Sequence, residues 1–320
     1  MNKHKLSVID LLDGSLTILY RTNCFKDFSF LSERGVFPHI IFSNYVPNAS
    51  VTDRLSEFVL NYDKKRIKRG ILLSDEFCQK VWFVALLTIA VAKSLGFMTG
   101  NGETPNITDR VFADSIESNY DWFKAFFPNL VAEADKAEIN NTRGVLIPPK
   151  TIELADVNTY CPDCDVANFG DFITMYSIAF LIGHELSHVY LNHSYWEHTI
   201  EKENEADNKS ITVILSQTPE DESLLARIGF LVPQMTLLFI KNLRVNKSQS
   251  HPDVDVRLFD IFSQSFSDAE EKWEIGILIA AMIGIWAELY QRKDFPSFDQ
   301  IRDNPIEVMR EFLASVKLKD

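Results

Sequence analysis

The residues best suited to chemistry lie between positions 183 and 207, in the stretch GHELSHVYLNHSYWEHTIEKENEAD. His184 and His188 are four residues apart, so on a helix both imidazoles project from one face and can reach a single metal ion. Glu185 lies beside them, where it could take a proton from a metal-bound water. The apolar run before His184 predicts a buried helix, and buried polar groups need partners. This pattern predicts a zinc site.

A third ligand is expected from the acidic cluster that follows. Ile200, Ile211 and Ile214 predict an apolar stripe on a second helix, and its period passes through Glu203 and Asp207. We therefore predict that Glu203 is the third ligand and that Asp207 accepts the other N–H of a ligand histidine. The acids at positions 201 and 205 fall off the stripe, and substitution of Glu205 is expected to be close to silent.

The turn between the two helices is expected near 194–198, which would pair them antiparallel and bring His188 level with Glu203. His193 is nine residues from His184, which is half a turn away around a helix axis. We interpret it as a solvated or structural histidine. The alternative interpretation of 201–207 is a charged face in contact with water.

The surrounding elements predict an α+β fold. Two β-rich runs around Asp13 and Gly14 predict a hairpin over 6–20, and 36–42 is a further strand candidate. From Phe169 onward the pattern is almost wholly helical. We predict a mixed N-terminal part at 1–140 and a mainly helical part at 141–320 that holds the site. The predicted helices are 50–62, 75–95, 170–193, 199–216, 221–245, 253–265, 268–291 and 305–317.

Charge and hydropathy limit the partners. The formal net charge is −13, from 45 acidic and 32 basic residues, and such a field repels phosphate, so nucleic acid is not expected to bind. The longest uncharged apolar runs, 81–92 and 275–287, are shorter than the roughly 18–20 residues that a membrane span needs. No signal peptide is visible, so we expect a soluble, cytoplasmic protein. Cys161 and Cys164 form a lone CxxC pair, interpreted as reduced thiols without a metal.

Three motifs in order resemble a known class of enzyme. HELSH followed by ENEAD resembles the gluzincin metallopeptidases, in particular the branch of the CAAX prenyl proteases and HtpX-type proteases, whose second motif is E-x-x-A-D. That branch also has an H-P-x-x-x-x-R element, and residues 251–257 read HPDVDVR. The resemblance implies a zincin-like catalytic part that binds Zn²⁺. By role, it implies the ligands His184, His188 and Glu203, the base Glu185, the supporting Asp207, and the transition-state stabilisers His251 and Arg257.

His251 and Arg257 also have a plainer interpretation. His251 could cap a local helix, and Arg257 could pair with a nearby acid such as Asp253 or Asp260. The oxyanion formed in peptide hydrolysis needs a donor from outside the ligand helices, which favours His251.

The favoured function is a soluble zinc endopeptidase acting on a protein or peptide. Because no convincing membrane span is visible, a soluble relative is expected. The phage-exclusion Lit peptidases are similar in length, solubility and position of the HExxH helix. Those enzymes cleave a translation factor in the host cytoplasm, so the resemblance implies an intracellular protein substrate and a role in phage exclusion. Two alternatives stay open: a non-catalytic regulatory zinc protein, and a zinc hydrolase of a small amide.

Overall fold

The structure, a computed structural model, describes residues 39–43, 70–98, 105–126, 164–193, 199–240 and 252–317, together with Ser15 and Ile18. Within these ranges the chain is mainly helical. The strands are β1 (His39–Ser43) and β2 (Gly70–Ser74). The helices are α1 (Asp75–Ser94), α2 (Asp109–Phe126), α3 (Cys164–Tyr190), α4 (Ile200–Leu215), α5 (Glu220–Ile240), α6 (Val254–Ser265), α7 (Ala269–Leu289), α8 (Phe298–Ile301) and α9 (Pro305–Val316).

The predicted α+β class with a β-hairpin is wrong. Among the residues that the structure describes, β1 and β2 form one short parallel pair, in register from His39 with Gly70 to Ser43 with Ser74. Ser15 and Ile18, in the second arm of the predicted hairpin, are helical. The reason is that short runs rich in Leu and Ile fit a buried helix as well as a strand, so alternation over a few residues does not separate the two.

The core around the site is built from α1, α3 and α5, which pack against one another, with α4 against α3 and α6 against α5. Pro233 lies inside α5 and has no N–H for the carbonyl of Gly229 four residues earlier. The Ser177 hydroxyl of α3 donates to that carbonyl at 2.7 Å. This hydrogen bond joins α5 to α3 and gives the carbonyl of Gly229 a donor in place of the missing N–H.

Among the residues that the structure describes, three helices are long and apolar enough to cross a membrane, so the predictions of no membrane span and of a cytoplasmic location are wrong. Their segments are Phe77–Ser94, Val166–His188 and Glu220–Ile240. The prediction failed because it counted only uninterrupted uncharged runs, whereas a predominantly apolar helix can also contain one or two charged residues. Between 67% and 72% of each apolar window is buried inside the protein, so the same surface also forms the core.

Several predicted features lie outside the described residues. They include most of the hairpin at 6–20, the helix at 50–62 and Cys161 of the CxxC pair, whereas Cys164 begins α3. The division at residue 140 stays a prediction.

Candidate metal centre

Two helices that pack against each other supply the polar cluster. α3 carries His184 and His188 in its last two turns, and α4 carries Glu203 in its first turn. The side chain of Thr199 caps α4 by accepting a hydrogen bond from the Lys202 N–H at 3.3 Å. Because an N-cap fixes the residue at which a helix begins, it also fixes the direction in which Glu203 projects.

The close approach of α3 and α4 depends on Gly183, directly before His184. A β-carbon at position 183 would lie 2.5 Å from Ser210 Oγ, which is closer than packed atoms tolerate. The Ser210 hydroxyl donates to the Phe180 carbonyl at 3.1 Å. Glycine therefore lets α4 lie against α3 at the level of the histidines.

Polar atoms of three residues meet at this contact. The Nε2 atom of His184 is 3.1 Å from His188 Nε2 and 3.4 Å from Glu203 Oε2. The Nε2 atom of His188 is 3.5 Å from Glu203 Oε1. His184 and Glu203 are 2% and 1% exposed, and His188 is half-buried. In the part of the chain that the structure describes, these three residues form a group that could hold a metal ion.

The cluster fits a zinc ion. Tetrahedral nitrogen and oxygen ligands about 2.0–2.2 Å from zinc lie about 3.3–3.6 Å from one another. The two nitrogens are 3.1 Å apart, and each lies 3.4 or 3.5 Å from a different oxygen of the Glu203 carboxylate, which is close to that range. Two imidazoles and one carboxylate are also a donor set of catalytic zinc sites, which keep a fourth position open.

A buried ion pair lies behind His184. With its Nε2 atom facing the cluster, His184 donates from Nδ1 to Asp207 Oδ1 at 2.7 Å. Arg257 holds the same carboxylate twice, from Nε to Oδ2 at 2.7 Å and from Nη2 to Oδ1 at 2.6 Å. Burial raises the pKa of Asp207, but the Arg257 guanidinium and His184 together outweigh burial and hold that pKa well below its usual value. Asp207 is therefore an ionised acceptor.

A different set of partners lies behind His188. Its Nδ1 atom is 2.9 Å from the Nδ1 atom of His193, and the Nε2 atom of His193 is 3.0 Å from Glu205 Oε2. α3 ends at Tyr190, Asn192 has a positive φ of 55°, and the His193 N–H donates to the His188 carbonyl at 2.9 Å. This left-handed turn closes the helix and folds His193 back onto its last turn.

The contact of His193 with Glu205 was not predicted. The helix predicted at 170–193 placed His193 half a turn from His184, whereas the turn at Asn192 ends the helix before that residue. An asparagine directly after the last periodic residue is the signal that could have revealed it.

The phase predicted for the acids of α4 agrees with their burial. Glu203 and Asp207 are buried, and Glu201 and Glu205 are exposed. The interpretation of 201–207 as a solvated face therefore does not hold for the first pair. Ile200, which was placed on the apolar stripe, is 44% exposed.

Arg257 pairs with an acid, as the plainer interpretation proposed, but the acid is Asp207 instead of Asp253 or Asp260. Asp253 is bound by Lys317 at 2.9 Å. His251 lies outside the described residues. The transition-state roles of His251 and Arg257 stay predictions.

Glu185, the predicted base, is half-buried in α3 directly after His184. Its charge helps to keep Arg257 protonated, since the pKa of Arg257, lowered by burial, is raised by Asp207 and also by Glu203 and Glu185.

A family of known proteins matches the chain. The model of a family described as Peptidase U49 matches residues 71–276, which include the helices of the cluster. No curated protein and no solved structure matches the chain.

Proposed function

The chain belongs to the peptidase U49 family, and from that premise we propose that it is a zinc-dependent endopeptidase of the gluzincin type. The observation that carries the proposal is the buried meeting of His184, His188 and Glu203 at separations that suit zinc. A protein or peptide is the substrate.

The roles follow from the donor atoms. His184 and His188 would hold the ion through Nε2 and Glu203 through its carboxylate. When bound, zinc acts as a Lewis acid on the scissile carbonyl and lowers the pKa of a water to about 7. Asp207 keeps His184 in the tautomer that leaves Nε2 unprotonated, because its carboxylate takes the Nδ1 proton as a hydrogen bond.

Glu185 moves the proton. Its carboxylate accepts a proton from the attacking water as the water oxygen bonds to the carbonyl carbon of the scissile peptide. The protonated side chain then delivers that proton to the leaving amine nitrogen as the carbon–nitrogen bond breaks. A partly buried carboxylate directly after a proposed ligand histidine suits both steps, since a carboxylate can accept a proton and then release it.

The test is labelling of new protein N-termini across the proteome after expression of wild type and of Glu185→Gln. We expect labelled sites that appear with wild type and not with Glu185→Gln, because the neutral amide cannot accept the proton. Both proteins should bind zinc and should unfold at the same temperature. Identical N-termini from the two would contradict the peptidase mechanism and would favour a non-catalytic zinc protein.

Phage exclusion stays a prediction from the resemblance to the Lit peptidases. It would require that wild type, and not Glu185→Gln, lowers the number of phage plaques on an expressing host.

A further inference from the structure

We propose that His193 and Glu205 are positioning residues for the ligand His188; this inference rests on the zinc site of the proposed function. His193 lies between the other two, 2.9 Å from His188 through Nδ1 and 3.0 Å from Glu205 through Nε2. The three side chains form a chain of hydrogen bonds from the cluster to the surface, and we call it the outer relay.

The hydrogen positions in the outer relay follow from the ligand at one end. The Nε2 atom of His188 faces His184 and Glu203, so it needs its lone pair there and carries its proton on Nδ1. The Nδ1 atom of His193 must then accept that proton as a hydrogen bond. A neutral His193 consequently carries its own proton on Nε2, where Glu205 Oε2 accepts it.

Each member of the outer relay therefore has one role. The carboxylate of Glu205 selects the tautomer of His193, and His193 selects the tautomer and fixes the ring plane of His188. The side chain of His193 is only 8% exposed, whereas that of Glu205 is 62% exposed. The outer relay thus runs from the proposed ligand His188 to Glu205, whose carboxylate is exposed to water.

Zinc affinity is the direct readout. Competition with a chelator on the purified full-length protein gives a dissociation constant for each variant. His193→Leu removes the acceptor, so we expect a rise in the zinc dissociation constant of about 10–100-fold, the usual effect of losing such a partner. His193→Gln should raise it less, because its side-chain oxygen can still accept from His188.

Glu205→Ala, which the helix phase alone predicted to be close to silent, should raise the dissociation constant by a smaller factor, about threefold to tenfold, since an exposed carboxylate is screened by water. Glu201→Ala is the matched control, because Glu201 is an exposed glutamate one turn earlier on α4, and it should leave the constant unchanged.

A double variant distinguishes an effect of Glu205 that passes through His193 from a direct effect of the Glu205 charge. If Glu205 acts through His193, then adding Glu205→Ala to His193→Leu changes the dissociation constant no further. If Glu205 acts only by its negative charge near the cation, Glu205→Ala raises the zinc dissociation constant by the same factor in wild type and in His193→Leu. That result would overturn the relay.

A second readout is independent of affinity. In the zinc-loaded protein with ¹⁵N-labelled histidine, long-range proton–nitrogen spectra should show His193 protonated on Nε2 and not on Nδ1. Glu205→Ala should weaken that preference, and Glu201→Ala should not. Observation of His193 protonated on Nδ1 in wild type would contradict the proposal. This readout also decides the matter where His193→Leu fails to fold.

Failure of the relay and failure of the zinc site give different results. His184→Ala must lose zinc if the proposed site is right. Zinc bound equally by wild type and His184→Ala would overturn the site and the relay together. Zinc lost in His184→Ala but held at wild-type affinity by His193→Leu and Glu205→Ala would overturn the relay alone.

Discussion

The two histidines that we propose as zinc ligands are supported in opposite ways. His184 meets a carboxylate directly, and that carboxylate, Asp207, is held twice by Arg257, with all of these side chains largely buried. His188 reaches its carboxylate only through a second histidine, and Glu205 lies mostly in water. We call the first set the inner pair, Asp207 with Arg257, and compare it with the outer relay.

The difference shows what burial does to a supporting residue. In the inner pair the partners lack water as an alternative, so the loss of one leaves the other as a buried, uncompensated charge. In the outer relay, water can replace Glu205, so its loss affects mainly the orientation of His193. The inner pair should therefore matter to folding and to zinc, and the outer relay chiefly to zinc.

The largest effect is expected from Asp207→Ala. It leaves the buried guanidinium of Arg257 without its acceptor and should lower the free energy of unfolding by about 3–5 kcal/mol. Urea denaturation measures the change, with Asn208→Ala as the control, because Asn208 is the exposed neighbour on α4. A loss within about 1 kcal/mol of the control would contradict the importance of the inner pair.

A double variant tests the pairing itself. Asp207→Asn combined with Arg257→Met should be less destabilised than the sum of the single variants, by about 1–3 kcal/mol, because the double change leaves neither charge alone. Additive losses in the same urea experiment would mean that the two residues act independently.

A smaller effect is expected from Gly183→Ala. By separating α3 from α4, it should disturb the inner pair and the outer relay together. The added β-carbon would lie 2.5 Å from Ser210 Oγ, and such overpacking costs about 1–3 kcal/mol. Ser210→Ala should recover most of the loss, since the Ser210 β-carbon lies 3.5 Å from the added one. Unfolding free energy and zinc per chain are the readouts. Equal losses of unfolding free energy with and without Ser210→Ala would show that contact with Ser210 does not cause the destabilisation.

The smallest stability effect is expected from Glu205→Ala. Surface substitutions of this kind change the free energy of unfolding by about 0.5 kcal/mol or less, even though zinc affinity should fall. A loss of stability comparable to that of Asp207→Ala, in urea denaturation of the zinc-free proteins, would remove the distinction between the inner pair and the outer relay.

Features set by local spacing could be predicted from the sequence. The helix predicted at 199–216 is observed at Ile200–Leu215, and the one at 253–265 at Val254–Ser265. The same periodicity places Glu203 and Asp207 on the buried face of α4. The peptidase assignment is confirmed by the family match.

Features that depend on contacts distant in sequence, or on one backbone angle, could not be predicted. Arg257 contacts Asp207, which is 50 residues away in the sequence. Sequence spacing indicated only acids near Arg257 in the chain as possible partners. The positive φ of Asn192 ends α3, and helical phase has no information about residues beyond that turn. The hairpin was predicted from a run too short to separate a strand from a helix, as Ser15 and Ile18 show.

The zinc content of Glu203→Gln shows whether Glu203 binds the metal. We expect about one zinc per chain in wild type after challenge with a moderate chelator, since the three proposed ligands would hold a single ion. We expect the same content in Glu201→Gln, because Glu201 is an exposed glutamate of the same helix turn, and little or no zinc in Glu203→Gln. Full zinc content in Glu203→Gln, or loss of zinc from Glu201→Gln instead, would contradict the assignment of Glu203 to the metal centre.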